Sequence, residues 1–215
     1  MVRGLSLVVF VSLLAAIPSF ADVCSTVPDN LVANCGFENG VYSSTIDGNT
    51  NGSVPNSWLP NAAYDLEPSF NHLTTYNNSG TYGLSIGNYD SEPVPSLSQT
   101  LTDFAGANYS GSLYVSYGYG DSNAYFDVLI NGAPVLALDG GTPPAFNQYT
   151  FSFVGTGSDV LTLEGNTNPA EWYADDVVVA GQAAVPEPSS IPFLVTMVGL
   201  CATALRKRLS SKGLQ

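Results

Sequence analysis

Alternating apolar and polar positions predict β-strands throughout the second half of the chain. Residues Tyr149 to Phe153 alternate strictly, as a strand with one buried face does. Asn131-Gly132 separates two apolar runs, and both residues tolerate the positive φ angles of a two-residue hairpin turn. No segment of residues 22–184 has a helical period. The predicted strands are Tyr82–Ile86, Leu97–Leu101, Tyr109–Tyr119, Ala124–Ile130, Ala133–Leu138, Tyr149–Phe153, Val160–Leu163 and Trp172–Val179.

The composition of the chain and the spacing of the predicted strands indicate the fold class. The chain contains 21 Gly, 14 Pro, 12 Tyr and 10 Phe, which favour turns and strands over helices. Residues 41–62 are dense in Gly, Asn and Ser, so we expect a loop there. Seven or more short strands joined by Gly-rich turns predict an all-β antiparallel sandwich over residues 22–184.

The N-terminal residues predict export. Arg3 precedes an apolar run from Leu5 to Ile17, and the small residues Ser19 and Ala21 follow it. This order is typical of a secretory signal peptide, here residues 1–21, that is cleaved after Ala21. An uncleaved N-terminal anchor is the alternative.

The C-terminal residues predict a membrane segment with a cytoplasmic basic end. Residues 191–205 are uncharged and span roughly 22 Å as a helix, which is short for a hydrocarbon core of ~30 Å. Arg206-Lys207-Arg208 follows, and the positive-inside rule keeps this cluster in the cytoplasm. With Pro186-Glu187-Pro188 ahead of the apolar stretch, residues 185–215 resemble the PEP-CTERM sorting signal.

The PEP-CTERM resemblance implies a bacterium that makes extracellular polysaccharide and an exosortase-type membrane enzyme that removes the tail. The protein is then exported across the inner membrane and anchored transiently through residues 191–205. Its final place is the envelope surface or the extracellular matrix. A plain stop-transfer anchor behind a Pro-rich linker is the alternative.

The charge distribution excludes one class of partner. Residues 22–184 carry 17 of the 18 carboxylates and no Lys or Arg, because the five cations all lie in the terminal segments. Nucleic acid is excluded, since neutralising its phosphates requires Lys and Arg. An acidic surface of this kind repels itself and is relieved by salt or divalent cations.

A second resemblance concerns the β-rich region. Asn30–Gly40 reads NLVANCGFENG and resembles the opening of the galactose-binding-like jelly rolls, the fold of many carbohydrate-binding modules. Pro55–Trp58, Leu97–Leu101 and Trp172–Val177 resemble the family's Pro-x-x-Trp motif, Gln-containing strand and closing strand, in that order. Cys35 departs from the pattern, because family members often have Gly there. The resemblance implies a jelly-roll β-sandwich.

The same resemblance implies a calcium site. In the family, a structural calcium often joins the Gly-Phe-Glu element to the closing strand, which nominates Glu38, Asp175 and Asp176 as Ca²⁺ ligands. Surface carboxylates or turn caps are the alternative. Asp47–Gly52 also matches the first half of an EF-hand loop, but Trp58 stands where that loop needs a bidentate Glu.

Two of the three cysteines are in the exported region. Cys24 and Cys35 lie 11 positions apart, and an oxidising compartment favours a disulfide bond between them. Such a bond would pin the N-terminus beside the first strand. Cys201, in the C-terminal apolar stretch, is expected to act as a small apolar residue.

The sequence contains no complete catalytic constellation. Gly83–Gly87 matches the G-x-S-x-G elbow of hydrolases, but that motif needs a following helix and a later histidine. The single histidine, His72, comes earlier, so we expect residues 82–87 to form a strand. Asp175 and Asp176 are adjacent, and neighbouring side chains of a strand point to opposite faces, which argues against a glycosidase pair.

Aromatic residues nominate a carbohydrate site. Sugar rings stack on Tyr and Trp, and side-chain amides bond to sugar hydroxyls. Tyr117, Tyr119, Asn123 and Tyr125 lie on or between two strands that we expect to be neighbours, and they are the candidate ligand residues. Packing of these rings in the core is the alternative.

Together these observations predict an exported, non-catalytic protein that binds or organises extracellular polysaccharide. A structural, calcium-stabilised envelope protein with no small-ligand site is the first alternative. A glycoside or ester hydrolase is the second, and the missing base disfavours it.

Overall fold

The described residues form ten β-strands in two antiparallel sheets. The computed structural model describes residues 22–41, 53–66, 69–89, 93–118, 123–140, 143–167 and 171–181. A 3₁₀ turn covers Cys24–Thr26, and one helix, α1, covers Ala62–Leu66. The strands are β1 Leu59–Pro60, β2 His72–Thr74, β3 Gly83–Ile86, β4 Ser96–Thr100, β5 Asn108–Tyr117, β6 Tyr125–Ile130, β7 Ala133–Asp139, β8 Asn147–Val154, β9 Val160–Asn166 and β10 Trp172–Gly181.

Each sheet contains five strands, and every described pairing is antiparallel. The first sheet has the order β1-β4-β9-β6-β7, and the second has the order β2-β3-β10-β5-β8. Alternate residues of most strands enter one shared core, to which Phe126 and Leu163 contribute from the first sheet and Leu113 and Trp172 from the second. This all-β architecture is consistent with a jelly-roll sandwich.

The eight strands predicted from alternation are all present, with ends that differ by a few residues. Asn131 and Gly132 have φ angles of 52° and 79°, as the hairpin between β6 and β7 requires. The sequence reading missed β1, β2 and α1. These elements have two, three and five residues, so none of them is long enough to produce a recognisable period.

The targeting segments lie outside the described residues. This applies to the predicted signal peptide, residues 1–21, and to the predicted sorting signal, residues 185–215. The Asp47–Gly52 motif lies outside them as well. Among the residues that the structure does describe, no helix has the length and apolar character needed to cross a bilayer.

Candidate functional site

Strand β10 bends at the pair of carboxylates near its middle. Its register with β5 shifts between Asp175 and Val178, and Asp176 has a φ angle of 52°. Both carboxylates therefore face the same segment. Asp175 Oδ2 accepts hydrogen bonds from the backbone N–H of Asn78 (2.8 Å) and Ser79 (3.0 Å). Asp176 accepts from Asn78 Nδ2 and Ser79 Oγ, both at 2.8 Å. The expectation that adjacent carboxylates point to opposite faces is wrong here.

Glu38 fixes the other end of the same segment. Its Oε1 accepts hydrogen bonds from the backbone N–H of Thr81 (2.6 Å) and Tyr82 (3.0 Å). Gly80, directly before Thr81, has a φ angle of 70°, and a Cβ there would collide with the Glu38 carboxylate. We call residues 78–82 the clamped loop, because carboxylates from two distant parts of the chain hold it.

The N-terminus of the domain joins this arrangement through a disulfide bond between Cys24 and Cys35. The backbone N–H of Cys24 donates to Asp176 Oδ1 at 3.2 Å. Asp22 lies over Gly36, where an added Cβ would approach its carboxylate carbon to 2.5 Å. Asp22, Glu38, Asp175 and Asp176 form what we call the acidic junction.

Two carboxyl groups of the acidic junction have raised pKa values. Burial raises the pKa of Asp175 to about 8, and the adjacent Asp176 adds to the shift, while backbone N–H donors oppose it. The pKa of Asp22 rises to about 6, through burial first and then through a hydrogen bond with the Asp176 carboxyl group. Two carboxylates that share a hydrogen bond need a proton or a cation between them.

The acidic junction fits a metal ion only in part. Among the described residues, one group of three potential ligand side chains has its atoms within 4.8 Å, namely Asp22, Cys24 and Cys35. The disulfide removes both thiolates from this group, and it leaves a single carboxylate. The Oδ1 atoms of Asp22 and Asp176 both accept the Cys24 N–H at 3.2 Å, so this closely placed pair is the part of the junction that best fits a hard cation.

The outer face of the second sheet carries an open groove of about 760 Å³. Strand β5 contributes Ser110 and Ser112, which alternate with core residues, and β8 contributes Thr150 and Ser152 directly opposite them. None of the described residues that line the groove is charged. The full lining is Val27, Ser110, Gly111, Ser112, Val135, Gln148, Thr150, Phe151, Ser152, Val178 and Ala180.

Aromatic side chains stand beyond one end of this groove. Tyr114 follows Ser112 on the outer face of β5, opposite Gln148. Further along, the ring of Tyr76 lies 4.6 Å from that of Tyr173 and 5.2 Å from that of Phe146, measured between centroids. We call Tyr76, Phe146 and Tyr173 the aromatic wall. Tyr76 is 45% exposed, so the wall presents ring surface to solvent.

The structure does not bring the predicted ligand residues together. Tyr117 is only 8% exposed and packs against Trp172, with ring centroids 4.4 Å apart. Its ring therefore belongs to the core, which was the alternative to a ligand-binding role. Tyr125 lies on the outer face of the first sheet, where its hydroxyl donates to Glu164 Oε1 at 3.3 Å. Asn123 is exposed just before Tyr125, and Tyr119 lies outside the described residues. The reason is topological, because β5 and β6 belong to different sheets.

Sequence reasoning overlooked the groove and its wall, although one local signal was available. In β5 the odd positions from Tyr109 to Tyr117 face the core, and the even positions are Ser110, Ser112, Tyr114 and Ser116. Alternation alone therefore marks Tyr114 as the outward aromatic of this strand. Tyr76 and Phe146 lie in loops, and no local period identifies them.

The hydrolase motif is part of a buried strand, as predicted. Ser85 lies in β3, is fully buried and donates its hydroxyl hydrogen to the Phe70 carbonyl oxygen at 2.7 Å. A serine in this environment is not exposed on a strand–helix turn, which the elbow requires.

Comparison with known proteins gives structural matches alone. No protein-family profile and no curated protein matches the chain. The CBM22-1 xylan-binding domain from Paenibacillus barcinonensis Xyn10C matches at 18% identity and a TM-score of 0.46, over 73% of this chain and 97% of that domain. TmCBM61, solved in complex with beta-1,4-galactotriose, matches at 14% identity and a TM-score of 0.47, over 71% of this chain and 99% of that one. At these values the likeness carries no inference about what this chain binds.

Proposed function

We propose that this protein is an exported, non-catalytic surface or matrix protein that binds extracellular polysaccharide in the groove of the second sheet. The observation that supports the proposal is the combination of an open, uncharged, hydroxyl-lined groove with exposed aromatic rings at its end. A sugar ring has apolar C–H faces and a rim of hydroxyl groups, so it needs both kinds of surface.

The groove is open to solvent, so we expect it to accept part of a polysaccharide chain. Its lining comes mainly from β5, β8 and β10, with Val27 and with Val135 of β7. Ser110, Ser112, Thr150 and Ser152 offer donors and acceptors at the period of the strands. The aromatic wall and Tyr114 extend the same surface.

The acidic junction positions one side of this site. Asp175 and Asp176 hold Asn78 and Ser79, and Tyr76 lies two residues before this pair. The Tyr76 hydroxyl lies 3.4 Å from Ser116 Oγ on β5, so the ring rests on the outer face of the sheet. A buried carboxylate pair thus fixes an aromatic surface for a ligand.

The sequence resemblances supply the cellular context of the proposal. The motifs of the β-rich region resemble those of the galactose-binding-like jelly rolls, the fold of many carbohydrate-binding modules, and the tail resembles a sorting signal of polysaccharide-producing bacteria. Export across the inner membrane, transient anchoring through residues 191–205 and removal of the tail by an exosortase-type enzyme belong to the same proposal. Mass spectrometry of exported material with an intact tail would contradict the processing step.

The proposal is tested by binding of the full chain, in nonionic detergent, to a glycan array and to a panel of soluble polysaccharides. We expect selective binding that Tyr114→Ala and Tyr76→Ala each weaken about tenfold, since stacking of a ring is worth ~1 kcal/mol or more. Tyr125→Ala is the matched control, because it removes an outward tyrosine from the other sheet. Absence of binding, or an equal loss in Tyr125→Ala, would overturn the assignment.

A second candidate role is a structural protein stabilised by Ca²⁺. The observation that favours it is the pair Asp22 and Asp176, whose Oδ1 atoms both accept the Cys24 N–H, in a region without Lys or Arg. Ca²⁺ bound there would neutralise both carboxylates and tie the N-terminus to β10. A melting temperature that rises with Ca²⁺ and falls with chelator, in a chain that binds no glycan, would support this role over carbohydrate binding.

A further inference from the structure

The groove lies in a domain that has many carboxylates and no Lys or Arg. Residues 22–184 contain 17 Asp and Glu and not one Lys or Arg. The carboxylates therefore dominate the electrostatic potential around this domain, and the reach of that potential is the Debye length, about 8 Å at physiological ionic strength.

Within this field the groove itself is neutral. Its lining consists of Ser, Thr, Gln, Gly, Val, Ala and Phe residues. Hydroxyl and amide groups satisfy the hydrogen bonds of sugar hydroxyls without any charge. They cannot compensate a carboxylate, sulfate or phosphate on a sugar, which needs a cationic partner when it leaves water.

Resting on the proposed function, we propose that the groove selects uncharged polysaccharides and rejects anionic ones. A neutral polymer is not repelled by the negative charge of the domain, and its hydroxyls can form hydrogen bonds with the lining of the groove. An anionic polymer is repelled on approach and finds no cation in the groove. The absence of Lys and Arg therefore contributes to this selection as much as the shape of the groove does.

The test compares a neutral polymer that the full chain binds with the carboxymethyl derivative of the same polymer, in chelator so that no divalent cation bridges the carboxylates. At low ionic strength we expect the derivative to bind at least about tenfold more weakly, because like charges oppose association. Added salt should narrow this gap and leave binding of the neutral polymer unchanged. Equal binding of the two polymers at low ionic strength would overturn the inference alone. Failure of every neutral polymer to bind would overturn the proposed function as well.

A pair of lysine variants separates the groove from the overall charge. Thr150→Lys places a cation in the groove, and Thr100→Lys places one at an exposed threonine on the outer face of the first sheet. Both change the net charge equally. We expect Thr150→Lys to recover binding of the carboxymethyl polymer several-fold and Thr100→Lys to recover little. Equal recovery by the two variants would mean that the groove does not make the selection.

Discussion

The two halves of β10 use their side chains in different ways. Where the bulge begins, Asp175 and Asp176 are buried, and their oxygens accept hydrogen bonds from the clamped loop and from Cys24. After the bulge, Val178 and Ala180 are small, and they leave room for the groove. The first half is closed by protein atoms, whereas the second half is open to solvent.

This difference separates stability from binding. A buried carboxylate that accepts several N–H groups stabilises the fold only while those partners stay in place, and its removal leaves donors without acceptors. An exposed hydroxyl on a strand contributes little to folding and remains available to a ligand. Substitutions in the acidic junction should therefore change stability first, and substitutions in the groove should change binding alone.

The largest effect is expected for Asp175→Ala. The substitution removes the acceptor of the Asn78 and Ser79 N–H groups, and it should lower the free energy of unfolding by about 3 kcal/mol. Urea denaturation measures this change. Asp127→Ala, at a half-buried carboxylate on the outer face of the first sheet, is the control and should change stability by less than about 1 kcal/mol. Equal losses of unfolding free energy in the two variants would contradict the special role of the acidic junction in stability.

Loss of the disulfide bond should cost somewhat less. The double variant Cys24→Ser, Cys35→Ser opens a loop that spans 11 positions, which corresponds to roughly 3 kcal/mol at most in the chain-entropy model. Denaturation with and without reductant provides the same comparison in the wild-type chain. Glycan affinity per folded molecule should not change, because the bond does not line the groove. A large loss of affinity would mean that the two regions are coupled.

The pH dependence of stability should reflect the raised pKa values in the acidic junction. The folded-state pKa values of Asp22 and Asp175, about 6 and about 8, lie above the unfolded value near 4. The folded state then binds more protons than the unfolded state between about pH 4 and pH 8, so in chelator the melting temperature should fall as pH rises through this window. Ca²⁺ should weaken this dependence if it binds the ionised pair. A melting temperature that rises over the same range in chelator would contradict the assignment.

The smallest effect on stability is expected for Thr150→Val in the groove. The side chain keeps its shape and loses a hydroxyl that faces solvent, so the free energy of unfolding should change by less than about 0.5 kcal/mol. Glycan affinity should fall several-fold, since one hydrogen bond is worth ~1 kcal/mol. Thr100→Val, on the first sheet, should leave affinity unchanged. Affinity that is the same in both variants would place the ligand elsewhere.

Much of the site was beyond sequence reasoning, for reasons that particular residues make clear. Alternation assigns Tyr114 to the outer side of β5 and Tyr117 to the core, but it does not reveal that β5 pairs with β8 rather than with β6. The choice of Tyr117 and Tyr125 as joint ligands therefore failed. The carboxylates Glu38, Asp175 and Asp176 were identified together, and the structure places all three against the clamped loop. Whether they serve a metal stays a prediction.

The sequence by itself determined eight of the ten described strands, the hairpin at Asn131-Gly132 and the absence of Lys and Arg from residues 22–184. Periods of two residues and turn preferences are local properties, and charge is a property of composition. The tertiary structure alone decided which strands are neighbours, how the bulge turns Asp175 and Asp176 to one side, and where Tyr76, Phe146 and Tyr173 meet. These features depend on contacts between residues far apart in the chain, and no local pattern specifies them.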